Sequence, residues 1–540
     1  MKKYVSLLLA LAMVLGVLSG CAKDETTDAP TPGGDTPAPV PGGDTPAGSN
    51  EPAMTNTGAI EVPVVEAASY KKDVTVGVNF AFTMLDPHGT YNINHNNQTV
   101  MVYDTLLFWN TNTGSFEPEL ATEWKWLDDT TLNVKLRKGV KFHDGTELTA
   151  KDVQFSFERC IAQGSSGATV MKMIEQYEIV NDYEITFKLN EVNVDFLAYL
   201  TVPYASILSK DAVEKDPENG PKIGTGSWIY VDMVESDYMK LKRNDNTWRA
   251  EKPKTETMTI RTIPENSTRL IALQNGEIDV CFNPNATELD IIQQDKKLNL
   301  YIFDRTSLMY FAMNSQLAPG DDQNFRLAVS YAIDKEELAL VHCDGRAKIA
   351  DVNWGWATFG YDDTIPGIQR DLNKAKEYLA KTPHRKLEIT CTSAYKVMAE
   401  TMQAQLREAG IEVTVNEVQS AAQTAMTKFA SATHQSMLFG LSWTEFGEDA
   451  RRPYYSGSNA NKAIVKNQEI YDLVDAAKKE FDEVKRKEMY SKIQKINQEQ
   501  GYYIPLFFSQ GFMATNKNAG GIRLEANSLH DISYLCVAEK

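Results

Sequence analysis

The chain reads as a several-lobed protein of intermingled strands and helices, α/β or α+β, and three features carry that reading. Its 540 residues exceed one ordinary domain and leave room for three or four at ~150 residues each. Hydrophobic residues make up 42% and charged residues 24%, the balance of a soluble globular chain, so most of the length can bury a core. Strand-like alternation and helix-like periodicity also mix over the whole body, with no repeat of roughly 20 to 50 residues that would indicate a solenoid or propeller.

The elements follow in chain order. Met1-Lys2-Lys3 is a positive start, and Tyr4 to Leu18 is an apolar run too short for a membrane span, which needs roughly 20 residues. Residues 1–20 are therefore expected to be a secretory signal. Leu18-Ser19-Gly20-Cys21 resembles a bacterial lipobox, which implies lipidation of Cys21 and a chain held at the outer face of the cytoplasmic membrane by acyl groups alone. From Ala22 to about Glu66 the composition turns to Pro, Gly, Thr, Ala and Asp. Such a segment cannot bury enough apolar surface to offset its ordering entropy, and as a coil it would span roughly 35 to 40 Å, a tether. Alternation at Val74-Val76-Val78, Leu132-Val134-Leu136, Ile185-Phe187-Leu189 and Ile411-Val413-Val415 predicts half-buried strands. Thr149 and Asp152 predict a helix start, and Ala399 to Ala409 a helix ended by Gly410. Ile470, Leu473, Val474, Ala477, Phe481 and Val484 predict one apolar stripe on one long helix. Lys138-Gly139 and Asp144-Gly145 are turn dipeptides, and Gly224-Thr225-Gly226 reads as a tight turn.

Composition also excludes functions. Lys+Arg at 55 against Asp+Glu at 73 gives a net charge of −18, which opposes sequence-independent binding to nucleic acid. The cysteines at 160, 281, 343, 391 and 536 are far apart with no CxxC pair, so neither a zinc ribbon nor a dense disulfide framework is expected, and an odd number leaves at least one free thiol. There is no GxGxxG, Walker-type loop, GxSxG or HExxH, and His88, His95 and His143 lack a metal-ligand spacing, so no enzyme, metal or cofactor is expected.

The stretch from Pro118-Glu119-Leu120-Ala121 to Arg159 contains Leu136-Arg137-Lys138-Gly139-Val140-Lys141-Phe142-His143-Asp144-Gly145 and Thr149-Ala150-Lys151-Asp152-Val153. Further on come Leu273-Gln274-Asn275-Gly276-Glu277-Ile278-Asp279, Asn324-Phe325-Arg326-Leu327-Ala328 and Tyr503-Ile504-Pro505-Leu506. This pattern closely resembles the family 5 extracellular solute-binding proteins, the oligopeptide-, dipeptide- and nickel-binding components of ABC importers. The resemblance implies an α/β, class II periplasmic-binding-protein-like fold, two lobes joined by a hinge with an extra inserted domain. By family analogy the base lobe occupies about 67–112, 222–345 and 506–540, the inserted domain 113–221 and the second lobe 346–505, after a tether at 21–66.

The resemblance also assigns ligand-binding candidates. Peptide-binding members carry a Trp followed three residues later by an Asp that pairs with the peptide's ammonium; here Trp443 is in place and Phe446 stands at the Asp position. Glu445, Glu448 and Asp449 either supply the carboxylate through a shifted loop or form a solvated loop. The family's carboxylate-binding arginines are absent, their positions being held by Gly440 and Ser431, and Arg451 and Arg452 either face a carboxylate instead or lie on the surface. Tyr204 replaces an arginine of nickel-chelate binders. Tyr91, the Gly164-Ser165-Ser166-Gly167 loop, Trp354 and Trp356 complete the candidates, the two tryptophans serving either as hinge packing or as a stacking wall.

The expected function is therefore that of a monomeric, membrane-tethered receptor that takes a short peptide, or a related amine-bearing or hydrophobic solute, and delivers it to an ABC permease and ATPase. The competing expectations are a same-fold surface lipoprotein for signalling or adhesion, a receptor for a metal chelate or sugar, and an enzyme with dispersed catalytic residues.

Overall fold

In the computed structural model, the alternating segments join into one long sheet. The structure describes residues 59–81, 85–89, 93–164, 166–428, 431–442, 446–447, 451–455, 458, 460–528 and 530–539. These belong to the unit Pro52–Lys540; a second unit, Met1–Glu51, lies outside the described residues.

Among the described residues the main sheet has eleven strands. In one half, Asp73–Val78 runs parallel to Val280–Phe282 and Thr257–Thr262, and Tyr238–Arg243 and Trp228–Val234 add antiparallel. In the other half, Ser436–Ser442, Lys386–Cys391 and Glu412–Glu417 lie parallel to one another. Two long antiparallel strands, Leu298–Met313 and Tyr503–Asn516, serve both halves. Residues Leu298 to Asp304 pair with Gln510 to Asn516, whereas Leu308 to Ala312 pair with Tyr503 to Phe508. The register breaks between Asp304 and Leu308, and such a break bends the ladder where it crosses from one half to the other.

Each half buries its own core, one around Val74, Val76, Ile260 and Trp228, the other around Phe311, Leu387, Ile389 and Leu438. A third core sits under a separate four-stranded antiparallel sheet, Ala121–Asp128, Thr131–Leu136, Glu184–Leu189 and Ile174–Asn181, covered by the helix Ala150–Gln163. There Val134, Phe157, Ile185 and Phe187 are fully buried, each contributing about 1.5–3 kcal/mol. The two-lobed α/β fold with an additional domain is thus the observed architecture.

Local signals held where their cause is local. Thr149 N–H and Oγ1–H both donate to Asp152 Oδ2 at 2.9 Å, and Asp152 Oδ1 accepts from the Lys210 N–H at 2.9 Å, so one carboxylate caps the helix and ties down the next segment. Gly410 ends the helix Lys396–Ala409 at φ 97°, a left-handed conformation that favours glycine. All five cysteines among the described residues are free thiols, four of them buried.

Two expectations are corrected. The stripe from Ile470 to Val484 belongs to two helices, Gln468–Lys479 and Glu483–Gln500, because Asp482 accepts hydrogen bonds from Val484 N–H at 3.0 Å and Lys485 N–H at 3.3 Å and starts a new helix. Phe481 and Val484 are consequently exposed rather than on the apolar face. Gly224 and Gly226 are not a tight turn. A side chain at Gly224 would set its Cβ 2.0 Å from the Val102 carbonyl oxygen, so the glycines permit two backbone segments to pack directly.

Candidate functional site

A cavity of about 240 Å³ opens beside the helix Ile93–Val102, the hairpin of Leu107–Asn110 with Ser115–Pro118, and the C-terminal segment around Arg523 to Tyr534. Thr201, Val202 and Pro203 bound it on one side, and Phe446, which follows the strand Ser436–Ser442, closes another. Phe446 makes that closure by packing on the hairpin. Its ring centroid lies 5.1 Å from Trp109, edge to face, and 6.2 Å from Phe116, stacked; Trp109 and Phe116 are 4.8 Å apart. The Trp109 indole N–H is buried with no hydrogen-bond partner among the described residues, at the cavity wall.

Two ionic groups face this space. In the first, Arg249 Nη2 donates to Asp104 Oδ1 at 2.7 Å and to Glu119 Oε1 at 2.5 Å. Asp104 Oδ2 also accepts from Thr225 Oγ1 at 2.7 Å and Trp248 Nε1 at 2.8 Å, and Glu119 Oε2 accepts from Thr105 Oγ1 at 2.8 Å. One guanidinium thus serves two buried carboxylates. Burial first, and then the Asp104 charge, push the Glu119 carboxyl up to about 7 against the pull of Arg249. In the second group, Arg523 Nε donates to Glu525 Oε1 at 2.5 Å and Arg523 Nη2 to Thr111 Oγ1 at 3.0 Å, while its guanidinium lies 5.2 Å over the Phe108 ring. Burial raises Glu525 above the usual carboxylate range despite Arg523.

Beside the cavity, Arg159 grips Asp86 through Nη1 at 2.9 Å and Nη2 at 2.7 Å and also donates to His88 Nδ1 at 3.1 Å. That contact puts the imidazole proton on Nε2, which donates to the Ser206 carbonyl at 3.1 Å. Burial and the Arg159 charge hold His88 down to about 4, so it is neutral at pH 7. Among the described residues no group of His, Cys, Asp or Glu could hold a metal ion, and no helix is long and apolar enough to cross a membrane.

A second contact between distant segments lies apart from the cavity. Arg451 Nη2 is 2.6 Å from Asp195 Oδ2 with both side chains buried, and Arg451 also donates to the hydroxyls of Tyr490 and Tyr455, each at 2.9 Å. Val194 N–H donates to the Lys478 carbonyl at 3.0 Å, Lys478 pairs with Glu191, and Phe481 meets Trp126 edge to face at 6.1 Å. Arg451 is therefore not a surface residue: it is fully buried, and the carboxylate it faces is that of Asp195.

The sequence-derived candidates divide. Cys21, Tyr91, Ser165, Trp443, Glu445, Glu448 and Asp449 lie outside the described residues. Ser166 begins a short helix, Ser166–Met171. Phe446 lines the cavity. Tyr204 turns away from it onto Gly167, where any side chain would put its Cβ 2.7 Å from the Tyr204 ring. Trp354 is fully buried and packs within the second-lobe core against Tyr490 at 5.5 Å. Trp356 is half-buried, and its indole N–H donates to the Arg305 carbonyl at 3.0 Å at the strand crossing. The sequence reading missed Trp109, Glu119, Arg249 and Glu525 as cavity residues. Glu119 lay inside a quoted motif, but no spacing links it to Arg249, 130 positions on.

Comparison with known proteins adds to this geometry. The model of the family described as bacterial extracellular solute-binding proteins, family 5 Middle, matches residues 115–495. A heme-binding protein A of Haemophilus influenzae is 26% identical over 468 residues, covering 79% of this chain and 85% of that protein. A dipeptide-binding protein of Escherichia coli is 26% identical over 485 residues, covering 81% and 89%. Among solved structures, the periplasmic binding protein DppA of Helicobacter pylori in complex with the peptide STSA aligns with a TM-score of 0.73 and 25% identity over 87% of this chain and 99% of that one.

Proposed function

The chain belongs to the bacterial extracellular solute-binding proteins of family 5, and from that premise we propose that it captures short peptides and hands them to an ABC permease. The observation that carries the peptide half is the cavity. Its aromatic wall stands beside charged groups of both signs. An extended peptide needs both, apolar surface for side chains and fixed charges for its ends. The peptide complex of the Helicobacter pylori neighbour and the dipeptide-binding Escherichia coli relative support the same class of cargo.

In this reading the base lobe (67–112, 222–345 and 506–540) and inserted domain (113–221) form one jaw, the second lobe (346–505) the other, and the two strands that cross between the halves form the hinge. An open form closes when cargo bridges the jaws, with Phe446 folding onto Trp109; the ligand biases an equilibrium that already exists. Glu445, Glu448 or Asp449 meets the peptide ammonium. Lipidation at Cys21 holds the body at the membrane on its tether, within reach of a permease.

Native mass spectrometry of tagless protein purified from its source cell, followed by calorimetry with the recovered species, tests the proposal. Bound masses of short peptides are expected; a heme, a sugar, a metal chelate or an empty cleft would overturn the peptide half.

A further inference from the structure

The strand crossing holds one cation that the cavity's ion pairs leave unused. Arg305 is the first residue after Asp304, where the pairing of Leu298–Met313 with Tyr503–Asn516 lapses. Its Nε donates to Ser528 Oγ at 2.9 Å, and its carbonyl accepts the Trp356 indole proton at 3.0 Å. Its stem runs along the backbone at Gly511, where an added Cβ would lie 3.0 Å from Arg305 Cδ. Arg305 is thus held between a base-lobe loop, whose members Glu525, Asn527 and Asp531 line the cavity, and a second-lobe tryptophan.

Among the described residues no carboxylate pairs with it. The nearby acids are already engaged: Glu525 by Arg523, Asp304 by Gln510 at 3.2 Å, and Asp531 by the Ser533 N–H at 2.7 Å. The remaining neighbour, His530, is neutral, held down to about 3 by burial and by the charge of Arg305 itself. Burial also lowers Arg305 from its ordinary value, with no opposing carboxylate. Its terminal nitrogens donate to no acceptor among the described residues, and the residue as a whole is half-buried.

A guanidinium in this condition is matched by an anion. Its planar fork accepts a carboxylate in two parallel hydrogen bonds, and the desolvation it already carries makes such a partner more favourable than in water. We propose that Arg305 receives the carboxylate of the captured solute, for a peptide its C-terminus, and so sets a requirement for a free acid. This rests on the peptide reading above and adds the residue that takes over from the arginines missing at Gly440 and Ser431.

The test compares a pool of random tripeptides as free acids with the same pool amidated at the C-terminus, binding measured by affinity mass spectrometry and calorimetry on the full chain. Wild-type protein is expected to hold the free acids roughly 10- to 100-fold more tightly than the amides. Arg305→Gln, which keeps a donor for Ser528 and removes the charge, is expected to abolish that difference while binding the amides as wild type does. Equal binding of both pools by wild type overturns the assignment without touching the peptide reading, and so does an undiminished difference in the variant. Binding of neither pool by wild type overturns both. The wild-type comparison decides even if the variant fails to fold.

Discussion

Arg451 and Arg249 are both arginines drawn out of water against acids from distant segments, yet they are placed to do different things. At Arg451, among the described residues, the carboxylate of Asp195 meets a fully buried guanidinium, and two tyrosine hydroxyls accept from it. At Arg249 one cation faces two carboxylates, and Glu119 is left so poorly compensated that its proton is held up to about 7. The first arrangement closes a seam between residues 191–195 and the segments at Arg451 and Lys478. The second lines a cavity with excess negative charge, as a recognition surface requires.

The largest test of this contrast is Arg451→Met. It leaves Asp195 buried without a counter-charge, and about 3–5 kcal/mol of stability should be lost, measured by denaturant unfolding. A change under about 1 kcal/mol would mean that water reaches the seam and that the two sites do not differ in kind.

The next is Glu119→Gln. The folded carboxyl titrates near 7, above the 4.5 of a free one, so the folded protein holds this proton more tightly than the unfolded chain. Its stabilising effect is full below about pH 4.5 and is lost as pH rises toward 7. The variant should therefore be the more stable protein at pH 8, by up to about 3 kcal/mol, and should match wild type near pH 4.5. His88 contributes the opposite slope. Its folded value near 4 lies below the free value of 6.5, so the stability it provides is full above 6.5 and is lost as pH falls toward 4. Subtracting wild-type from variant unfolding curves removes that shared component; a flat difference curve would show that the Glu119 carboxyl keeps its ordinary value and that Arg249 compensates its burial.

The smallest expected effect is that of Phe446→Ala. The ring spans the cavity mouth rather than a core, so peptide affinity should fall by roughly tenfold while unfolding stability moves by less than about 1 kcal/mol. A larger loss of stability than of affinity would place Phe446 with the seam.

These sites were unequally legible in the sequence. Phe446 was found because it occupies a position aligned with a family motif. Arg451 was noticed, but whether it was buried was not, since burial depends on tyrosines that arrive from two other segments. Glu119, Arg249 and Arg305 gave no signal at all. Their neighbours in sequence explain them as a motif acid, a loop cation and a strand cation. The broken helix shows the same limit at short range: the apolar spacing through Phe481 and Val484 continued past Asp482, and the hydrogen bonds from its carboxylate to the next backbone N–H groups overrode it.

By itself, the sequence determined the strands at Val74, Leu132 and Ile185, the helix cap at Thr149 and Asp152, the left-handed stop at Gly410 and the family. Each depends on contacts within a few residues or on motifs that survive as strings. Only the tertiary structure decided which charges are matched. Asp104, Glu119 and Arg249 meet across as many as 145 positions, and among the described residues no carboxylate pairs with Arg305, the nearby acids being engaged by other groups. The strength of a charge depends on what surrounds it and how much water is excluded, and neither is written in the order of the residues.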